Sequence, residues 1–292
     1  MKLGLGTVQF GMDYGISNTR GRPSENEIKR TLEIAHEAGI RIIDTAHTYG
    51  ESEAALGRNL PGNNAFRIVT KTLPLLSKDF SASDIKQVSA AFHLSLKRLR
   101  QPAIYGLLIH RASNLLAKGS DHFMTALSSL KSEGLVGKIG VSINDQRELD
   151  TVLSRFSIDM VQLPFNLLDQ RLLENGSLKR LKEAGIEIHT RSVFLQGLLL
   201  MDPESLEGYF QPAREPLRKI HEYAKAQNKS PLELALHFAT SRKEIDCVVI
   251  GMNHHEELVE ILSATQSNPT ACDYSGLGIQ DEAILNPALW PQ

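Results

Sequence analysis

The sequence predicts an α/β protein folded as a closed (β/α)8 barrel of the TIM type. Three observations lead there. Eight short, β-branched apolar segments alternate with amphipathic helical patterns along the 292 residues. The apolar runs are near-continuous, as in strands covered on both faces. No Gly-rich dinucleotide fingerprint follows the first strand, because LGLGTVQFG has Gln9 where G-x-G-x-x-G needs its last glycine. A doubly wound open sheet is the alternative, and the count of eight strands argues against it.

The expected strands are Leu3–Thr7, Arg41–Asp44, Arg67–Lys71, Ile104–His110, Lys138–Ser142, Met160–Leu163, Ile186–Thr190 and Cys247–Ile250. Between them lie the helices. Ser24–Ala38 begins with Ser24 and Glu27 at capping-box spacing, buries Ile28, Leu32 and Ala35 on one face, and stops at Gly39. Glu51–Leu60 follows the second strand. Ser83–Leu99 places Ile85, Val88, Phe92, Leu96 and Leu99 on one stripe. Asp121–Glu133, Asp145–Arg155, Gln170–Ala184 and Ala213–Ala226 continue the alternation. Ser230–Thr240 opens on Ser-Pro, the usual chemistry of a cap and first helical position. His254–Ser263 follows the last strand. The tail Ala264–Gln292 has little periodicity and is expected to pack on the barrel as an irregular arm. Residues 1–292 are expected to form one barrel domain, since no linker or low-complexity segment divides them.

Charge and composition narrow the function. The formal net charge of −2 gives no electrostatic case for nucleic acid or an anionic membrane. No apolar stretch approaches the length of a membrane span. The N-terminus lacks the basic region of a secretory signal. With only Cys247 and Cys272 there is no disulfide framework, so a reducing cytoplasm is the default expectation. The adjacent His254 and His255 are poorly placed for one metal ion, and no metal site is expected.

The chemistry is written at strand ends. IRIID stops at Asp44, FRIVTK at Lys71 and IYGLLIH at His110, while Tyr49 follows Asp44 by five positions. The C-terminal ends of barrel strands are where this fold gathers its reactive groups. A phenol, with a pKa of about 10, is a poor acid at neutral pH. An ammonium about 4 Å away stabilises the phenolate by roughly 4 kcal/mol at an effective dielectric of 20. Asp44 would keep Lys71 charged, and a neutral His110 would orient a carbonyl oxygen. No Cys or Ser nucleophile is at hand, so a bound hydride donor is the expected partner of the protonated oxygen. Lys71 as a Schiff-base lysine is the competing reading, and it leaves Asp44 and Tyr49 unexplained.

At these residues the chain resembles the aldo-keto reductase superfamily, (β/α)8 barrels that reduce carbonyls with NAD(P)H. The motif D-T-A-x-x-Y-G reads Asp44-Thr45-Ala46-His47-Thr48-Tyr49-Gly50, followed in order by VTK and LLIH. The resemblance implies Asp44, Tyr49, Lys71 and His110 as the catalytic tetrad and extends from LGLGTVQFG to VVIGMNHHEEL. It also implies a cofactor path. Ser142 in KIGVSI and Gln162 in VQLPFN would hold the nicotinamide carboxamide, with Ile143 standing where an asparagine is common. RSVFLQGLL places Arg191 where the family often stacks a tyrosine on the ring, and a planar guanidinium can stack likewise. Ser192 and the Leu195–Gly197 turn would lie along the pyrophosphate. GMNHHEEL resembles the segment that holds the adenosine 2′-phosphate, here with Gly251, Asn253 and Glu257. NADPH is the expectation from the family, and Glu257 leaves NADH open.

Tyr14, His47, Phe165 and Trp290 are candidate substrate contacts, each with simple packing as its alternative. Substrate loops are short, which suggests an open pocket able to admit a sugar or sugar conjugate. The expected partner is a small carbonyl compound, and the sequence does not reveal the oligomeric state. A cofactor-sensing regulatory protein, similar to the potassium-channel β subunit, is the reading from another class, since those subunits keep the same tetrad.

Overall fold

In the computed structural model, which describes residues 1–62, 65–266 and 272–291, eight parallel strands close into a barrel in chain order. They are β1 (Leu3–Gly6), β2 (Ile42–Asp44), β3 (Arg67–Lys71), β4 (Ile104–Ile109), β5 (Val136–Ser142), β6 (Met160–Pro164), β7 (Glu187–Arg191) and β8 (Cys247–Gly251). β8 pairs back onto β1 through Gly4↔Val249 and Gly6↔Gly251, which abolishes any open edge. The helices, in order, are α1 (Val8–Gly11), α2 (Glu25–Glu37), α3 (Ser52–Asn59), α4 (Ala82–Leu99), α5 (Ser120–Ser132) and α6 (Gln146–Leu153). Then come α7 (Arg171–Glu174), α8 (Ser177–Glu183), α9 (Arg214–Ala226), α10 (Pro231–Thr240), α11 (His255–Thr265) and α12 (Glu282–Leu285). Among the described residues no helix is long and apolar enough to cross a membrane.

Two helices depart from the sequence reading, one for a local reason and one through a distant partner. The single helix expected over Gln170–Ala184 is two, α7 and α8, because Gly176 takes φ 76° and breaks the ladder after Asn175. At α2, Ser24 Oγ accepts from the Glu27 backbone as expected, but the Glu27 carboxylate does not return to close a capping box. It bonds instead to the His255 backbone and ring, tying α2 to the start of α11. Reciprocal boxes form at α4, between Ser81 and Asp84, and at α10, between Ser230 and Glu233.

The apolar core has two parts. The larger lies between barrel and helices, and the smaller is inside the barrel, where Val69, Leu108 and Met160 pack with Ile42 and Tyr105. That interior is narrow. A Cβ at Gly106 would stand 2.7 Å from Met160 Sδ, so glycine makes room for the thioether. Above and below this apolar disc the barrel carries polar side chains.

The described part of the tail lies against the 3-10 turn Gly208–Ala213. Trp290 is 5% exposed and packs edge-on against Phe210, and its Nε1 donates to the carbonyls of Ala283 and Ile284 at 3.1 and 3.2 Å. The Tyr209 hydroxyl lies 2.9 Å from the Ala283 carbonyl and 3.3 Å from that of Leu289. The sequence-defined arm also includes 267–271 and 292, which lie outside the described residues.

Candidate active site

At the C-terminal mouth of the barrel, Asp44 ends β2, Lys71 ends β3 and His110 follows β4. Parallel register sets Asp44 beside Val69, and Lys71 lies two residues further along on the same side. Lys71, 2% exposed, donates to Asp44 Oδ2 at 2.7 Å and to the Thr45 carbonyl at 2.9 Å. Burial works against the lysine's charge, but Asp44, helped by Tyr49, outweighs it and raises the Lys71 pKa above its usual value. The Lys71 Nζ stands 4.9 Å from the centre of the Tyr49 ring. No protein acceptor takes the Tyr49 hydroxyl proton among the described residues.

His110 meets Tyr49 edge-on, with ring centres 6.0 Å apart. Burial, then the charges of Lys71, Arg191 and Arg111, push its pKa down to about 3, so the imidazole is neutral at ordinary pH. Its Nδ1 lies 3.4 Å from Thr48 Oγ1. Gln162, 1% exposed on β6, donates through Nε2 to Asp44 Oδ1 at 2.7 Å. Asp44 is therefore held from both sides. The other end of that amide, Gln162 Oε1, is buried without a protein partner among the described residues, as are Gln9 Oε1 and Asn253 Oδ1.

The four residues line a cleft of about 920 Å³. This is near the upper end of the range for small-molecule sites, about 300–1,000 Å³. Of the residues expected to hold a cofactor, Ser142, Gln162, Arg191, Ser192, Gly197, Gly251, Asn253 and Glu257 line it too. So does Tyr14, whose pKa burial pushes up to about 12, Tyr49 adding to the rise and Arg191 opposing it. Arg191 donates to the Ile143 carbonyl at 3.0 Å, to Asn144 Oδ1 at 2.7 Å and to Ser192 Oγ at 3.3 Å. Glu257 Oε2 accepts the Asn253 backbone N–H at 2.9 Å.

Four expected residues are outside the lining. His47 turns to α4, where its Nδ1 is 3.2 Å from Ser95 Oγ. Leu195 is fully buried, and Trp290 is occupied by the arm's own carbonyls. Phe165 is also buried, stacked on Phe238 at 4.6 Å.

Other cleft residues escaped the sequence reading: Gln9, Ser17, Arg111, Glu260, Asn286 and Pro287. Gln9 and Arg111 were the more accessible to it, since each follows a strand's C-terminal end within a few residues. The loop after β7 is strained, with φ of 60° at Ser192, 49° at Leu195, 55° at Gln196 and 95° at Gly197. Positive φ at the three non-glycine positions costs on the order of 1–3 kcal/mol each and persists only where surroundings impose it. A side chain at Gly197 would collide with Ser17, so the loops after β7 and β1 meet over the cleft.

The family model described as Aldo/keto reductase family matches residues 2–275. An aldo-keto reductase of Mycolicibacterium smegmatis is 31% identical over 175 residues, 59% of this chain and 58% of the relative. The D-arabinose 1-dehydrogenase of Saccharomyces cerevisiae is 25% identical over 265 residues, 81% of this chain and 76% of the relative. The holo form of an aldo-keto reductase from Bacillus halodurans superposes with a TM-score of 0.72 at 21% identity, over 92% of this chain and 88% of that one. That last likeness is one of fold.

Proposed function

The chain belongs to the aldo/keto reductase family, and on that premise we propose that it reduces an aldehyde or ketone to an alcohol with a nicotinamide dinucleotide as hydride donor. The observation that carries the proposal is the Lys71 ammonium, fixed by Asp44 and the Thr45 carbonyl beside the Tyr49 ring at the floor of a large cleft.

The cleft fits such a cofactor. Gln162 Oε1 is a buried acceptor awaiting a donor, as a carboxamide N–H would be, and Ser142 is its register neighbour on β5. Arg191 presents a planar face, and Ser192 and Gly197 belong to the turn suited to phosphates. When bound, the dinucleotide supplies hydride from nicotinamide C4. The protein does the rest. Tyr49 gives its proton to the carbonyl oxygen, and the Lys71 charge stabilises the phenolate left behind. Asp44 and Gln162 hold Lys71 in line. His110, neutral and with Thr48 at Nδ1, offers Nε2–H to the same oxygen. Alcohol oxidation uses these groups in reverse. The yeast relative's name makes a sugar or sugar conjugate a natural substrate class for the proposal.

NADPH is the family's usual donor, but the wall at α11 speaks for NADH. Glu257 takes the Asn253 N–H that could serve a phosphate, and Glu260 lies one turn further on. Calorimetric titration should show NADH binding at least as tightly as NADPH. A panel of aldehydes, ketones and sugars should then consume the bound donor. Tight binding with no turnover on any of them would replace the reductase reading with that of a cofactor sensor.

A further inference from the structure

The cleft is electrically lopsided. Glu257 and Glu260 stand on the side of β8 and α11. Lys71, Arg111 and Arg191 stand around β3, β4 and β7, and the Lys71 charge is matched by Asp44. Neither arginine has an ion pair among the described residues, although Glu148 lies near enough to Arg191 for the two charges to interact. The bonds of Arg191 go to a carbonyl, an amide oxygen and a hydroxyl, all neutral. Arg111 has neither an ion pair nor a side-chain hydrogen bond among the described residues, although it lines the cleft directly after His110. Its charge is close enough to contribute to the lowering of the His110 pKa.

Position decides what Arg111 is for. In the closed ring β4 lies across from β8. The residues suited to the dinucleotide run over β5, β6, β7 and β8, so the β4 loop is left to the other reactant. A solvent-facing guanidinium with uncommitted N–H groups at the cleft wall, with Arg191 as a second cation in the same lining, is a receptor for a planar or tetrahedral oxyanion.

We propose that the carbonyl substrate carries an anionic group, a carboxylate or a phosphate, which Arg111 receives while the carbonyl sits at Tyr49 and His110. The inference rests on the reductase reading and adds the substrate's charge to it. Arg111 would act as a specificity residue, improving binding without entering the proton or hydride step.

Matched pairs test it. Succinic semialdehyde against butanal isolates a carboxylate, and glyceraldehyde 3-phosphate against glyceraldehyde isolates a phosphate. The anionic member of one pair should have kcat/KM higher by about tenfold or more, through KM, as one charge-assisted hydrogen bond allows. The pair that shows it identifies the anion. The advantage should shrink as salt rises. Arg111→Gln should narrow the gap and Arg111→Lys should keep part of it. Should both members of each pair react alike, with the gap unmoved in Arg111→Gln, the anion proposal falls while carbonyl reduction stands. Should none react, 4-hydroxybutyrate and glycerol 3-phosphate are titrated into the NADH-loaded protein. Heat that disappears in Arg111→Gln supports the anion site even though reduction has failed, and no heat from either overturns it.

Discussion

The two ends of the barrel hold the same four kinds of ionisable group, a carboxylate, an ammonium, a phenol and an imidazole, and use them differently. At the mouth they are Asp44, Lys71, Tyr49 and His110. At the N-terminal end they are Glu187, Lys138, Tyr105 and His189. There Glu187 accepts from the Tyr105 hydroxyl at 2.6 Å, lies 2.7 Å from His189 Nε2 and also takes Lys138. Burial alone would raise the Glu187 pKa, but bonds from His189, Lys138 and Tyr105 hold it down at about 2. The lower tyrosine spends its proton on a carboxylate, and none of the four lines the main cleft. The upper tyrosine spends its proton on no protein atom among the described residues and faces a cleft. Composition is therefore not what makes a site. An unspent proton beside open space is.

The largest effect should separate the tyrosines. Tyr49→Phe should lower kcat by roughly 10²–10⁴-fold, the usual range for one general acid, with cofactor affinity nearly unchanged. Tyr105→Phe should leave kcat alone and cost about 1 kcal/mol in denaturant unfolding. Wild-type rates from Tyr49→Phe would dissolve the contrast. Next come the lysines. Lys71→Met strands a buried carboxylate and should cost about 3–5 kcal/mol, read from the denaturation midpoint. Lys138→Met touches a partly exposed pair and should cost about 1 kcal/mol or less. Equal losses would mean the two networks are equally structural.

Near neutral pH the smallest expected effect is that of pH, which grows only as the medium turns acid. His110 stays neutral in the folded protein down to about pH 3, whereas its unfolded counterpart takes up a proton near 6.5. Protons then favour the unfolded chain, so stability should decline as pH falls from about 6.5 toward 3. Glu187 stays ionised to about pH 2 and should add a second decline below its unfolded value of 4.5. Thermal midpoints across this range should show both limbs, His110→Asn flattening the upper and Glu187→Gln the lower. A midpoint that holds constant from 6.5 to 4.5 would contradict the buried, neutral imidazole.

Much of this was legible in the sequence because it is local. Strands covered on both faces read as unbroken apolar runs, and Asp44 and Tyr49 sit five residues apart in one motif. What was not legible depends on ring closure. The Gln162–Asp44 bond joins residues 118 apart. The lower network draws on β4, β5 and β7, and no spacing announces it. Glu27 looked like half of a capping box because its alternative partner, His255, is 228 positions away. His47 sits inside the motif yet points to Ser95, since neighbouring positions in a turn face different ways.

The grip of Tyr209 and Trp290 on the tail has an evolutionary corollary. Both side chains hold carbonyl oxygens, at Ala283, Ile284 and Leu289, which every amino acid supplies. Between those anchor points Asn286, Pro287 and Ala288 form part of the cleft wall. Mutation can rewrite the wall's chemistry there without unfastening the strap, so ligand preference can drift in a lineage while the architecture stays put.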